Sequence, residues 1–388
     1  MRSPFEDDFV KRNLVLLFCA VSAVMLSLAV AAQGRESLAY FQAAVPVTSQ
    51  SAENRKYAAQ KGMQQVLVRM SASESVLLNE TIKGAVTRAQ SYIQQFQFRP
   101  VTDPELLERG YREEMFMAFS PKLIQGLMRD QARVPYWAAE NRPKILVWLV
   151  EDEPDYGRQL LNQSSVNAEG EAHPAILALQ ASAKERGLPL AFPLLDLEDQ
   201  MAISSDEVWY MEEEKIREAS QRYTAPVILV GRYSYTSQGE LWSTWQYFHQ
   251  DFNQTWDSRT SELDKFAWEG LAPLNQFLAG RYAIVPGAFI EDTALIVRLQ
   301  NVDSFKRFRA AMDYLAGLAL ISEVKIIQAS SNELLLALNS EASIERFKST
   351  VQLDRKIQFI PQQSDLPEWQ RPQEGTRENP IVSTWLGS

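Results

Sequence analysis

Two short stretches, Ile145-Leu-Val-Trp-Leu-Val150 and Val227-Ile-Leu-Val230, are apolar at every position. A surface helix breaks such a run with polar residues, and a half-exposed strand alternates. An unbroken run of this length therefore belongs to a strand covered on both faces, as in a parallel sheet sandwiched by helices. The sequence between the runs fits. Pro174–Arg186 reads as a helix stopped by Gly187, Leu188–Leu195 as the next parallel strand, and residues 206–223 as helical. Ser237-Gln238-Gly239 turns the chain into an antiparallel strand, Leu241–Gln250, followed by a short strand over 254–257. Ser261-Glu262-Leu263-Asp264 reads as a capping box opening a helix with Phe266, Ala267, Leu271, Leu274 and Leu278 on one side. Residues 142–282 are thus expected to form a mixed α/β sheet domain.

The flanking segments read as smaller α+β units, giving three small modules in all. Residues 37–138 begin with a strand to Val47, a helix capped by Ser51, and a second helix from Asn79. Strands follow over Gln95–Arg99 and Arg112–Phe119, with Ser120-Pro121 opening another helix. Residues 290–361 hold the order β-α-β-β-α-β, the ferredoxin-like arrangement, which hosts many functions and implies none. From Gln362 to Ser388 the chain is polar and broken by Pro367, Pro372 and Pro380, so it is expected to be a disordered tail whose only sticky points are Trp369 and Ile381–Leu386.

At the start of the chain, Lys11 and Arg12 precede an apolar run from Leu14 to Val30 that ends in Ala29-Val30-Ala31-Ala32. That is the order of a secretory signal, so residues 1–32 are expected to be cleaved and the protein to be periplasmic; the alternative is an inner-membrane anchor over residues 14–32. The single cysteine, Cys19, lies in this leader, which removes disulfides, Cys nucleophiles and Cys-ligated metals from the remainder. The 39 Lys and Arg against 49 Asp and Glu leave a net charge of −10, which argues against nucleic acid or anionic lipid as a partner. No second apolar span suggests stable membrane insertion once the leader is gone.

Catalytic motifs are scarce. G-x-S-x-G, H-E-x-x-H, G-x-x-x-x-G-K-[ST] and G-x-G-x-x-G do not occur. The two imidazoles, His173 and His249, fall in a predicted loop and a predicted strand and read as structural. Acidic residues do cluster after two of the predicted parallel strands: Glu151, Asp152, Glu153 and Asp155 after the first, Asp196, Glu198 and Asp199 after the second. Open α/β sheets bind ligands at such carboxyl ends, so Asp152, Glu153, Asp196, Glu198 and Asp199 are the candidate ligand-binding set, for a hard cation or a cationic small ligand; solvated loop residues and helix caps would look the same. A carboxylate-dependent cell-wall hydrolase is a further reading of these residues. Trp242, Trp245, Tyr247 and Trp256 could stack on sugars, yet the offset of three places Trp242 and Trp245 on opposite faces of a strand, so at least one belongs in the core.

Several of these segments together resemble the bacterial domain-of-unknown-function 2066 family, exported proteins of gammaproteobacteria. The resemblance rests on Val45-Pro46-Val47, Val66-Leu-Val-Arg-Met-Ser71, Trp137 with Asn141-Arg142-Pro143, Val147-Trp148-Leu149, Pro193-Leu-Leu-Asp-Leu-Glu-Asp199, and Ile228-Leu-Val-Gly-Arg232 followed by Trp242 and Trp245. It spans about residues 38–275 and implies no catalytic residues. One departure is Ala72, where the family pattern implies a glycine after the serine. The middle domain also resembles the TolB amino-terminal type of envelope module, which implies docking to envelope proteins. The expectation is a periplasmic, non-enzymatic envelope assembly or protein-binding factor without cofactors. It would contact its partner through the sheet edge around Leu241–Gln250, including Trp245, and through Trp369 and Trp385 of the tail.

Overall fold

The computed structural model describes residues 39–250, 252–286, 294–340, 342–361 and 372–387. The leader and Trp369 lie outside them. The fold is α+β in several modules with three sheets. The described residues form two compact units, one built from those up to Val66 with Ala85–Ile124, the other from Leu67–Gly84 with those from Gln125 onward.

The first unit centres on an antiparallel sheet in the order β1 (Gln42–Val47), β3 (Glu113–Phe119), β2 (Ile93–Pro100). Alternation along β1 buries Phe41, Ala43, Val45 and Val47, and β3 buries Met115, Met117 and Phe119 on the same side. Helix α1 (Ala52–Ser71) contributes Ala59, Met63 and Val66 to the core, and Gly62 lets it approach Met117 and Ala43. The expected cap at Ser51 holds, its Oγ accepting from Asn54 N at 3.2 Å; in the segment that belongs to the second unit, Asn79 Oδ1 accepts from Thr81 N at 2.9 Å to start α2 (Glu80–Val86). A short helix, α3 (Pro104–Glu108), links β2 to β3, and α4 (Pro121–Gly126) follows at Ser120-Pro121 as its cap predicts.

In the second unit the two apolar runs become β4 (Ile145–Glu153) and β7 (Val227–Tyr235), which pair in parallel. The sheet order is β5 (Gly157–Leu161), β4, β7, β8 (Leu241–His249), β9 (Phe252–Thr260), with the two-residue β6 (Leu190–Ala191) also pairing with β4. One face is covered by α5 (Pro174–Arg186) and α9 (Leu263–Tyr282), which pack on Val147, Leu149, Leu229, Tyr233 and Trp245. The segment carrying α6 (Leu197–Ala202), α7 (Ser205–Trp209) and α8 (Glu213–Ser220) covers Leu146, Trp148, Ile228, Val230 and Phe248 on the other. Arg142, from the Asn-Arg-Pro segment before β4, donates to the carbonyls of Arg69, Trp137 and Gly187 and stacks on the Trp137 ring.

Several expectations for this sheet need correction. The Leu188–Leu195 strand shrinks to Leu190–Ala191, because the β5 hairpin takes the edge of β4 from Leu149 onward. The 206–223 helix is broken at Met211, whose φ of 56° no α-helix accommodates. At α9 the N-cap is Glu262 and makes no side-chain cap bond; the capping box forms instead between Ser204 and Glu207 at α7. The strand Leu241–Gln250 is not an edge, since β9 pairs with it over nine residues and itself forms the rim of the sheet.

The carboxyl-terminal sheet contains β10 (Leu295–Gln300), α10 (Phe305–Gly317), β11 (Ile321–Ala329), β12 (Glu333–Ser340), α11 (Ile344–Leu353) and β13 (Ile357–Phe359), in the expected β-α-β-β-α-β order. The tail provides the surprise. Residues expected to be disordered form β14 (Ile381–Trp385), inserted between β10 and β13, parallel to the first and antiparallel to the second. Its burial alternates, with Ile381, Ser383 and Trp385 inside, so a segment of only five residues is held by ladders on both sides. Among the described residues no helix is long and apolar enough to cross a membrane.

Candidate functional site

The acidic residues at the strand ends do not form one open site. Arg158 of β5 lies 3.6 Å from Asp152 and donates to Asp206 at 2.8 Å. Arg222 meets all three carboxylates of the other cluster: Asp196 at 2.7 Å, Asp199 at 3.0 Å and Glu198 at 3.4 Å. The Asp199 side chain is completely buried and also accepts from Leu195 N at 2.8 Å and from the Tyr223 hydroxyl. Asp196 serves as the N-cap of α6. Hydrogen bonds from Arg222, then from the Asp199 backbone, hold the Asp196 carboxyl down at about 2. Burial and the hydrogen bond to Asp199 push Tyr223 up to about 12. A guanidinium thus fills the place a cation would take. Among the described residues no group of three or more His, Cys, Asp and Glu side chains is arranged to hold a metal. Glu153 lies half-buried at the end of β4, opposite Gly157.

Both imidazoles, expected to be structural, are hydrogen-bonded inside the protein. His173 Nε2 lies 3.1 Å from Glu151 Oε2, with both side chains largely buried. His249 Nδ1 donates to the Pro226 carbonyl at 2.9 Å, which leaves Nε2 to accept from the Tyr282 hydroxyl at 2.7 Å. Burial lowers the His249 pKa.

Two of the tryptophans expected to contact a partner are core residues. Trp245 is fully buried, its Nε1 bonded to Ser243 Oγ at 3.1 Å, and Trp385 is 2% exposed within β14. The strand offset decides Trp245: odd positions of β8 face α9, even ones the opposite side. Trp242 is accordingly 52% exposed.

Trp242 marks a feature the sequence reading missed. Under α6–α8 the apolar core of the second sheet face ends at Val230 and Phe248. Beyond that, the same face continues as Arg232 and Ser234 on β7, Thr244 and Trp242 on β8, and Asp257 and Arg259 on β9, with Trp209 of α7 beside them. Together they line a cleft of about 630 Å³. Arg232 donates to the Trp209 carbonyl at 2.8 Å, with its guanidinium 5.4 Å from that ring. Arg259 sits 4.9 Å from the Trp242 ring and pairs with Glu240. The signal was present in β7, where alternate positions pass from Ile228 and Val230 to Arg232 and Ser234 while Leu229 and Tyr233 stay buried. A face that turns polar inside an otherwise covered strand has lost its covering layer.

The rim of this cleft is β9. It pairs with β8 through nine consecutive residues without a bulge, is exposed along most of its length, and carries no proline or lysine. Such an edge offers a row of backbone donors and acceptors for pairing.

Residues 35–138 match a family described as a domain of unknown function (DUF8605). The expectation of an uncharacterised domain is met, but the family is not the 2066 family that the sequence motifs suggested. The match covers the first unit's sheet and stops before the cleft. No curated protein matches the chain.

Proposed function

We propose that the protein is an exported, non-enzymatic binding factor that docks a protein partner by strand addition at β9. The single observation that carries this reading is the bulge-free, nine-residue edge at the rim of the middle sheet. Backbone pairing along such an edge supplies affinity with little demand on side-chain identity. The charged, apolar and A-x-A order of residues 11–32 supports export to the periplasm, and the likeness of the middle domain to envelope docking modules points the same way. The acidic loops give less support to a cation site, because Arg158 engages Asp152 and Arg222 engages Asp196, Glu198 and Asp199.

The test uses the alternation of N–H directions along a strand: of two successive residues, one donates to β8 and the other points outward. Gln254→Pro and Thr255→Pro are made separately, each with a photo-crosslinking side chain at Asn253, in intact cells. The variant whose melting temperature stays near wild type has lost only the outward donor. It is expected to lose a crosslinked envelope protein that recurs with the wild type. The reading fails if that product persists, or if the wild type gives none.

A further inference from the structure

The cleft beside β9 has a composition that the docking reading does not explain. Its lining contains two tryptophans, two arginines, one aspartate, serines and a threonine, and no aliphatic side chain. A pocket for an acyl chain or an apolar side chain draws its affinity from aliphatic and aromatic contact with few polar groups. Here seven of the nine lining side chains are polar or charged, set around two indoles, with half of Trp242 open to water. Flat aromatic faces with guanidinium, carboxylate and hydroxyl groups around them suit a polyol ring: its C–H face rests on the indole and its hydroxyls find donors and acceptors at the rim.

Charge narrows the class. The chain carries a net charge of −10, yet the cleft lining has two guanidinium groups against one carboxylate. Arg259 is neutralised by Glu240. Arg232 is half-buried and, among the described residues, makes no ion pair; its guanidinium donates only to the Trp209 carbonyl. A partly desolvated guanidinium with free donors binds a carboxylate by charge-assisted hydrogen bonds. Asp257 on the far side of β8 is exposed and can accept from hydroxyls.

From this lining we propose that the cleft binds an acidic saccharide, with a ring on Trp242 and a carboxylate at Arg232. The site stands on side chains of the sheet face and does not require strand addition at β9.

Titration of the full chain with trigalacturonate, maltotriose and triaspartate, followed by tryptophan fluorescence and melting temperature, tests it. Trigalacturonate is expected to change the fluorescence and raise the melting temperature, with maltotriose at least about tenfold weaker and triaspartate weaker still. Arg232→Gln should remove the preference for the acidic sugar, Arg232→Lys should keep part of it, and Trp242→Ala should weaken both sugars while Trp242→Phe restores most of the binding. The proposal is overturned if trigalacturonate gives no response, if maltotriose or triaspartate binds as well, or if binding survives both Arg232→Gln and Trp242→Ala. Because the proline variants at β9 leave these side chains in place, loss of strand docking with retained sugar binding would separate the two readings.

Discussion

Gly231 of β7 and Trp245 of β8 face each other across the antiparallel ladder, and the indole lies directly on the glycine backbone. A Cβ at Gly231 would stand 2.7 Å from Trp245 Cε3 and 2.9 Å from Leu149 Cδ1. On its other side the same indole meets Gly270 of α9, where a Cβ would be 2.5 Å from Cε2 and Cζ2. Trp245 is therefore slotted between sheet and helix at two positions that tolerate no methyl group. Gly270→Ala would favour an isolated helix by up to about 1 kcal/mol, but overpacking of about 1–3 kcal/mol opposes it. Both Gly231→Ala and Gly270→Ala are expected to lower the urea midpoint, and Trp245→Phe is expected to relieve either one in a double mutant. If either alanine raises stability, the slot is not tight.

The turn after α1 supplies a stabilising substitution. Ala72 adopts φ 55°, a left-handed conformation that costs an L-residue roughly 1–2 kcal/mol. Its methyl packs at the edge of the core, which offsets part of any gain. Ala72→Gly is expected to raise stability by about 0.5–1 kcal/mol, measured by urea denaturation. A fall in the midpoint would mean that the methyl contact outweighs the backbone strain.

The tail strand is structural. Removing residues 381–388 strips β10 and β13 of their shared partner and exposes the space filled by Ile381 and Trp385. Trp385→Ala alone is expected to cost about 3–5 kcal/mol. The truncated chain should melt at a lower temperature, and a synthetic peptide with the sequence of residues 379–387 should restore part of the loss in proportion to its concentration. A truncated chain as stable as the full one would show that β14 does not hold the sheet.

Arg222→Gln leaves the buried Asp199 carboxylate with one charged partner fewer and is expected to lower the melting temperature near neutral pH. The Asp196 carboxyl is held down at about 2, below its unfolded value near 3.9. A depressed carboxylate pKa contributes stability that is complete above the unfolded value and disappears as the pH falls through the folded one. The difference in melting temperature between wild type and variant should thus be constant above about pH 5 and narrow between about pH 4 and pH 2. A difference independent of pH would place the stabilisation elsewhere.

What the residues determine by themselves is local. The all-apolar runs at Ile145 and Val227, the cap at Ser51, and the stop at Gly187 with φ 69° act over a few neighbours, and the elements they start or end lie where the sequence places them. The offset between Trp242 and Trp245 likewise suffices to put one in water and one in the core. Strand partners are another matter, because every backbone carries the same donors and acceptors and alternation names a face without naming a neighbour. Only the tertiary structure shows that β9 shields β8, that β14 enters between β10 and β13, and that one guanidinium, Arg222, closes over the three acids of the second loop. The cleft belongs to the same class: its floor is written in three strands, but it exists because the apolar packing under the covering layer ends at Val230 and Trp209 alone lies beside Arg232.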